Sequence, residues 1–164
     1  MEKIELNSIS EELSLRIATQ DDEFLILSWR NNPNVRKFSR TIEPIPQSIH
    51  AEWFHARLLE IQKAPYFIFQ LDKQPVGMVR LDTKHDLPGV FEINILVDES
   101  FQNRGFATVM ISEVLKFAKE NLSVAEIRAF IHKENIQSIK LFKKFGFLKN
   151  QDAVDFFQEY YLSL

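Results

Sequence analysis

A short polar loop between a strand pattern and a helix pattern constrains this chain more than any other feature. The apolar stretch 93–97 leads into the run Gln102-Asn103-Arg104-Gly105-Phe106-Ala107, and an amphipathic pattern over 108–120 follows it. This order aims free backbone N–H groups and the positive end of a helix dipole at one spot, which suits a pyrophosphate group. The loop is not a Walker A loop, because no Gly-Lys-Ser/Thr follows. It is not a dinucleotide-binding fingerprint either, because Gly105 is its only glycine.

The composition excludes several classes of site. The 164 residues are enough for one domain with a substantial core. The net charge of −3 leaves no overall basic footprint, so a nucleic-acid partner is not expected. The absence of Cys excludes disulfides and a thiol nucleophile, and the four His lie outside metal-ligand spacing, so no metal is expected. No stretch approaches the ~18 apolar residues of a membrane-spanning helix, so the expected location is the cytoplasm, without a membrane partner.

Hydrophobic periodicity predicts an α/β order of elements. Strands are predicted at 13–17, 66–71, 76–82, 91–97, 124–132, 147–148 and 156–162. Helices are predicted at 19–31, 47–60, 108–120 and 135–145. The run Asn32-Pro33-Asn34 is expected to end the first helix, and residues 1–12 are expected to be peripheral. This order predicts a mixed, mostly antiparallel sheet of about seven strands with helices on both faces.

Three segments together resemble one enzyme family. The loop has the form Gln102-x-x-Gly105-x-Ala107, the strand at 92–97 comes directly before it, and residues 135–147 read Asn-x-x-Ser-x-x-Leu-Phe-x-x-x-Gly-Phe. In this order they are similar to the GCN5-related N-acetyltransferase (GNAT) superfamily, over about residues 13–162. The resemblance implies a single GNAT domain spanning 1–164, with acetyl-CoA as cofactor and acetyl donor.

The resemblance also implies which residues hold acetyl-CoA. The loop would bind the pyrophosphate, and the strand at 92–97 would splay from its parallel neighbour at a bulge, so that its main chain pairs with the pantetheine arm. The implied cofactor-binding residues are Leu96, Val97, Gln102, Asn103, Arg104, Gly105, Phe106, Ala107, Asn135 and Phe142. The residues alone also allow an ordinary capped turn, a plain core strand and an N-cap at Asn135.

The reaction implied is direct attack of an amine on the acetyl thioester, polarised by a backbone N–H near Val97. Glu92 is the candidate base, because it is the only acid on its strand and apolar neighbours would raise its pKa; the alternative is an ion-paired rim carboxylate. Many family members place an acidic Tyr seven residues after Asn135, but this chain has Phe142 there, which cannot donate a proton. Ser138 is the nearest hydroxyl, and solvent is the alternative donor, so Glu92, Ser138 and Asn135 form the expected catalytic set.

The N-terminal third is expected to shape the pocket for the acceptor. The run 29–36, together with His50 and the strand that carries Arg80, resembles the family branch that acetylates nucleotide-linked amino sugars in pseudaminic acid synthesis for flagellin glycosylation. On that resemblance Trp29, Arg30, His50 and Arg80 bind the acceptor, with the cations on a diphosphate and Trp29 or Trp53 on a base. Core tryptophans, a structural His50 and ion-paired arginines are the plainer interpretations.

Other functions stay open at this point. One is an N-acetyltransferase of a protein N-terminus, of the ribosomal-protein type, or of a small amine. Another is a non-catalytic acyl-CoA-binding module. A basic pocket would favour the sugar nucleotide, and a wide acidic groove would favour a basic peptide. The expected partner is a small-molecule acceptor, and the sequence leaves open whether the chain forms a homodimer.

Overall fold

The computed structural model describes residues 4–5, 13–151 and 156–164, which form one mixed sheet with helices on both faces. The strands are β1 (Ile4–Glu5), β2 (Leu13–Ile17), β3 (Tyr66–Leu71), β4 (Gln74–Thr83), β5 (Val90–Val97), β6 (Glu126–His132), β7 (Leu148–Lys149) and β8 (Phe157–Ser163). The helices are α1 (Glu23–Asn31), α2 (Pro33–Arg36), α3 (Gln47–Leu59), α4 (Phe106–Asn121) and α5 (Ile136–Lys144). Every predicted strand and helix is present, and the mixed, mostly antiparallel sheet is confirmed.

Two elements were not predicted. Residues Ile4–Glu5 add an edge strand beside β2, within the segment expected to be peripheral. Helix α2 begins where the sequence was expected only to end α1. Asn32 accepts a hydrogen bond from the backbone N–H of Asn34 at 2.8 Å, and Pro33 takes the first helical position. The same residues that stop α1 therefore cap and start a second, short helix.

Each face of the sheet carries its own hydrophobic core, because successive strand residues point to opposite sides. Phe67 and Phe69 face the core covered by α4, whereas Tyr66 and Ile68 face the core covered by α1 and α3. The α4 residues in the first core recur at helical spacing: Val109, Met110, Ile111, Val114, Leu115 and Ala118. None of the helices described is both long and apolar enough to cross a bilayer.

The strand order β1-β2-β3-β4-β5-β6-β8-β7 places the one parallel pair, β5 and β6, in the interior of the described sheet. This pairing covers only three positions and ends at Glu92 opposite Arg128. Beyond it, β5 stays paired with β4 as far as Val97, and β6 stays paired with β8. The two strands therefore diverge into a wedge-shaped gap. The expected bulge does not cause it, since the described β4–β5 register runs without a shift.

A glycine allows β4 and β5 to approach closely at the open end of this gap. A Cβ at Gly77 would lie 2.4 Å from the carbonyl oxygen of Leu96 and 2.9 Å from the terminal methyl of Met110. Both distances are too short for a real contact, so only glycine fits here without moving β5 or α4.

Tyr66 on β3 is fully buried under α3, against the ring of Phe54 and the guanidinium of Arg57. Its hydroxyl makes no hydrogen bond to any described residue. Burial raises the pKa of Tyr66 to about 12. In an unfolded chain a tyrosine ionises near ~10.

We expect this difference to make the protein sensitive to alkali in one window. The raised pKa contributes stability that is complete below pH ~10 and is lost as the pH rises towards 12, since only the unfolded chain ionises there. The free energy of unfolding should then fall by about 1.4 kcal/mol per pH unit from this group alone. Tyr66→Phe should remove that slope and cost little at pH 7, because it deletes an unpaired hydroxyl.

Urea titrations between pH 8 and 11.5 would measure this. Tyr161→Phe, which removes a half-buried hydroxyl in β8, is the matched control and should follow the wild type. A Tyr66→Phe variant as alkali-sensitive as the wild type would contradict the assignment.

Candidate active site

A cavity of about 630 Å³ occupies the gap between β5 and β6. Strands β4, β5 and β6, helix α5 and the segment between α2 and α3 line it. The predicted site residues on its walls are Arg30, Arg80, Glu92, Leu96, Val97, Gln102, Ala107, Asn135, Ser138 and Phe142. A smaller cavity of about 160 Å³ shares part of this wall and is also lined by Asn103, Gly105 and Phe106. The structure thus brings together most residues that the sequence singled out.

The loop that enters α4 presents a row of unsatisfied amides. Asn103 and Gly105 have φ of 61° and 83°, and α4 starts without a side-chain cap. The backbone N–H groups of residues 103–107 make no hydrogen bond to another described residue. Gln137 on α5 donates to the side-chain oxygen of Asn103 at 3.2 Å and so ties the loop to α5. Amides left in this state at a helix N-terminus form an anion cradle.

Arg104 does not add its charge to either cavity. Its side chain is exposed, and the guanidinium lies 5.4 Å from the ring centre of Phe101. Of the predicted cofactor residues it is the one that lines neither wall.

The start of α5 holds three predicted residues in different ways. The side-chain oxygen of Asn135 accepts from the backbone N–H of Ser138 at 3.1 Å, so Asn135 is an N-cap. Its amide NH₂ makes no hydrogen bond among the described residues and lies on the cavity wall. The hydroxyl of Ser138, also on the wall, likewise has no partner in the described chain. Phe142 is buried edge-to-face against Phe147, with the ring centres 5.0 Å apart.

Glu92 lies where the paired part of β5 ends, but its surroundings are not apolar. Its carboxylate contacts Lys84 Nζ at 2.6 Å and the Arg40 guanidinium at 3.5 Å. Both cations also lie over the ring of Phe130, at 4.7 Å for Arg40 and 4.9 Å for Lys84. The expectation of apolar neighbours around this carboxylate was therefore wrong: Glu92 is ion-paired, but it is buried and does not lie on the rim.

Two predicted acceptor residues, Arg30 and Arg80, share a single indole. Their guanidinium carbons lie 4.7 Å and 4.9 Å from the ring centre of Trp53. Arg80 contacts Asp82 at 2.9 Å, and Asp82 also binds Arg57 and Asn94. Arg30 forms no ion pair with any described carboxylate. Burial lowers the pKa of Arg30, and the nearby charge of Arg80 lowers it further. This pair is thus a half-buried cationic site with an incomplete set of counter-charges.

Trp29 and His50 do not line the cavity, which corrects their assignment to the acceptor site. Trp29 is in the core and donates from its indole N–H to Asp98 at 2.7 Å. His50 is buried and stacks on Phe54, and its Nε2 lies 3.1 Å from the Glu23 carbonyl oxygen. Burial lowers the pKa of His50, with the charge of Arg30 as the next cause. Both residues instead fix α1 and α3 in place.

The sequence analysis missed the segment between α2 and α3. Lys37, Phe38 and Arg40 on this segment line the cavity, opposite Phe130 and His132 on β6. The segment has no periodicity that would mark it. The alternation of β6 did carry a signal, because residues 130 and 132 must face away from the buried Ala129 and Ile131.

The cationic character of the cavity is pronounced. Among the described residues on its wall, Arg30, Lys37, Arg40 and Arg80 carry positive charge, and Glu92 is the single carboxylate. The cationic residues come from α1, the segment between α2 and α3, and β4, whereas the amide-rich loop enters α4. The cavity therefore has two parts: an anion cradle at α4 and a cation-lined chamber facing α1.

Comparison with known proteins identifies the architecture. A family model described as an acetyltransferase (GNAT) domain matches residues 12–148. Acetyltransferase PseH of Campylobacter jejuni subsp. jejuni is 28% identical over 136 residues, which cover 81% of each chain.

Solved structures give the same result at the level of the fold. Spermidine N-acetyltransferase from Vibrio cholerae, in complex with CoA and spermine, superposes with a TM-score of 0.81 at 20% identity, covering 94% of this chain and 96% of that one. The acetyl transferase from Salmonella typhimurium that modifies the N-terminal serine of ribosomal protein L7/L12 gives 0.78 at 15% identity, covering 94% and 96%.

Proposed function

The chain belongs to the GNAT acetyltransferase family, and from that premise we propose that it acetylates the amine of a nucleotide-linked amino sugar. Enzymes of this family are N-acetyltransferases, and acetyl-CoA is the acetyl donor. The coenzyme, the catalytic groups and the acceptor are each assigned to residues of the cavity.

The amide row at residues 103–107 is assigned to the pyrophosphate of acetyl-CoA, with Gln102 and Ala107 beside it. The pantetheine arm runs into the gap between β5 and β6. There the main chain at Leu96 and Val97 pairs with its amides, much as an added strand would. The amide of Asn135 that is not used in capping α5 donates to the arm, and Phe142 forms the apolar floor.

We expect Gly105→Trp to disrupt coenzyme binding, because an indole would fill the phosphate space. Gly105→Ala is the control. A Cβ at Gly105 meets no atom within 4 Å, so Ala adds no steric clash, but it carries the same backbone strain at φ 83° as Trp does. A difference between the two variants therefore reports the bulk of the indole. Loss of even one charge-assisted hydrogen bond corresponds to about a tenfold rise in the dissociation constant. Calorimetric titration with acetyl-CoA would measure it. Equal affinity of the Trp variant and the wild type would remove the loop from the site.

The reaction needs no covalent enzyme intermediate. The amine nitrogen attacks the thioester carbon, the new N–C bond forms, and the C–S bond breaks with its electrons on the CoA sulfur. A backbone N–H near Val97 stabilises the developing oxyanion. The amine proton passes to Glu92, directly or through one water, and the hydroxyl of Ser138 or solvent protonates the thiolate. Lys84 and Arg40, which contact the Glu92 carboxylate, hold it in position at this end of the gap.

We expect Glu92→Gln to lower kcat by about 100-fold, the usual contribution of a general base. The affinity for acetyl-CoA should remain, because Glu92 lies at the closed end of the gap, away from the loop. Steady-state kinetics from pH 6 to 10 would test this. Glu126→Gln, on β6 and outside the cavity wall, is the control. A Glu92→Gln rate equal to that of the wild type across the range would exclude Glu92 as the base.

The charge of the chamber facing α1 carries the choice of acceptor. Four described cations surround it, and Arg30 has no carboxylate of its own. Such a chamber attracts phosphate oxygens and repels a polyamine or a basic peptide. The sequence resemblance to the branch that acetylates nucleotide-linked amino sugars, together with the 28% identity to acetyltransferase PseH, supports the same acceptor class.

Release of free CoA from acetyl-CoA across a panel of acceptors tests the proposal. The panel contains nucleotide-linked 4-amino sugars, basic N-terminal peptides and polyamines. Turnover on the sugar nucleotides is expected. Turnover on peptides or polyamines alone would replace the acceptor and keep the coenzyme site. Binding of acetyl-CoA with no turnover on any member of the panel would favour a binding module.

With the sugar nucleotide that the enzyme acetylates as the acceptor, Arg30→Met should change the acceptor KM without lowering the stability of the protein. The substitution keeps apolar contact with Trp53 but removes the charge, so the KM for the acceptor should rise by about tenfold or more. The melting temperature should not fall, because burial and Arg80 already disfavour the Arg30 charge. Arg128→Met, which removes a guanidinium paired with Glu126 outside the cavity, should leave the acceptor KM unchanged. An unchanged KM in Arg30→Met would refute its role.

A further inference from the structure

A group of aromatic rings, here called the aromatic wall, forms part of the cavity and has no role in the chemistry above. Its members are Phe38, Phe130, His132 and Phe157. All four side chains are half-buried and line the cavity. None belongs to either of the two hydrophobic cores of the described chain.

The wall is assembled from three separate segments. The centre of the His132 ring lies 5.7 Å from that of Phe38 and 5.4 Å from that of Phe157, in tilted and edge-to-face arrangements. Phe130 precedes His132 by two positions on β6 and so points to the same face. Rings brought together from the segment after α2, from β6 and from β8 therefore form an aromatic surface at the cavity rather than filling a core.

Cations flank these rings. Lys37 Nζ lies 4.9 Å from the ring centre of Phe38, and the Arg40 guanidinium lies 4.7 Å from that of Phe130. Both cations are exposed and line the same cavity. Aromatic faces next to cations match a ligand that joins a planar ring to phosphate, as a nucleoside diphosphate does.

The tryptophans offered by the sequence cannot take this role. Trp29 is 5% exposed and lies outside the cavity wall. Trp53 already has two guanidinium groups within 5 Å of its ring centre and is not on that wall either.

Within the aromatic wall, Phe130 also has two cations over its ring, Arg40 and Lys84. Phe38, by contrast, has the exposed Lys37 over its ring and lines the cavity. Phe38 is therefore the ring that we assign to a ligand in the cavity.

We propose that the aromatic wall, with Phe38 as its principal member, binds the nucleobase of the acceptor by stacking. This rests on the proposed function, since it assumes an acceptor that carries a nucleotide. It assigns the end of the acceptor farthest from the amine to the segment after α2. Recognition by stacking tolerates different bases, so Phe38 sets affinity for a nucleotide more than choice among bases.

The test compares two substitutions that differ only in the ring. Phe38→Leu keeps apolar bulk, whereas Phe38→Tyr keeps an aromatic face. Uridine, cytidine and guanosine diphosphates and inorganic pyrophosphate are titrated by calorimetry into the protein saturated with CoA, so that the coenzyme site is already filled. Phe24→Leu, at an exposed phenylalanine on α1, is the matched control.

In the wild type, at least one nucleoside diphosphate should bind more tightly than pyrophosphate. Phe38→Leu should raise the dissociation constant of that nucleotide by about tenfold, the typical effect of losing one base stack. Pyrophosphate affinity should not change, and both Phe38→Tyr and Phe24→Leu should behave as the wild type. For the sugar nucleotide that the enzyme acetylates, Phe38→Leu should raise KM by about the same factor and leave kcat unchanged.

Three outcomes would overturn the proposal. One is a nucleoside diphosphate that binds Phe38→Leu as tightly as the wild type. The second is an equal loss of binding affinity for the nucleotide and for pyrophosphate in Phe38→Leu, which would indicate a general disturbance of the chamber. The third is no nucleotide binding at all. If sugar nucleotides are still acetylated in that third case, only the aromatic wall is misassigned; if they are not, the proposed acceptor fails as well.

Discussion

The early end of the pairing between β5 and β6 is the constraint on which the rest of the site depends. Parallel strands inside a sheet normally continue side by side, because unpaired backbone groups away from water are costly. Here the pairing stops after three positions, and the close β4–β5 approach at Gly77 keeps β5 on its other neighbour. The gap leaves two strand edges, on β5 and β6, with which a peptide-like arm can form hydrogen bonds. It also opens a route from the α4 side of the sheet to the α1 side.

Electrostatics then divide the cavity according to how each charge is supplied. At α4 the positive potential comes from backbone amides, which cost less to desolvate than a charged side chain does. On the other side it comes from side chains. The Arg30–Trp53–Arg80 cluster holds two guanidinium groups on one indole, and Asp82 offsets part of their charge. Burying a cation without a partner disfavours folding, so this cluster is better explained by binding than by stability.

The sequence predicted the elements well because each was marked by a strong local pattern. The alternation at 13–17 and the helical spacing in α4 left little ambiguity. The loop at residues 102–107 was marked by the strand before it and the helix after it. The errors arose where long-range packing decides. Trp29 and His50 have polar atoms that suit a ligand, but the Trp29 indole N–H donates to Asp98 and His50 Nε2 contacts the Glu23 carbonyl oxygen, both inside the fold. Likewise, Arg40 reaches Glu92 from the segment between α2 and α3, which no local pattern links to β5, whereas Lys84 comes from the turn between β4 and β5.

The segment between α2 and α3 contributes to the chamber without contributing to the fold. Residues 37–46 supply five neighbouring positions of the cavity wall, yet they form no strand and belong to neither hydrophobic core. If the chamber holds the acceptor as proposed, substitutions there would change what it accepts while the sheet and the loop at α4 stay as they are. During divergence of a family, such a segment lets acceptor preference change without a change of fold, and Arg40, which contacts Glu92, is the position where the two are coupled. For the same physical reason, it is the part of this chain best suited to retargeting by directed evolution.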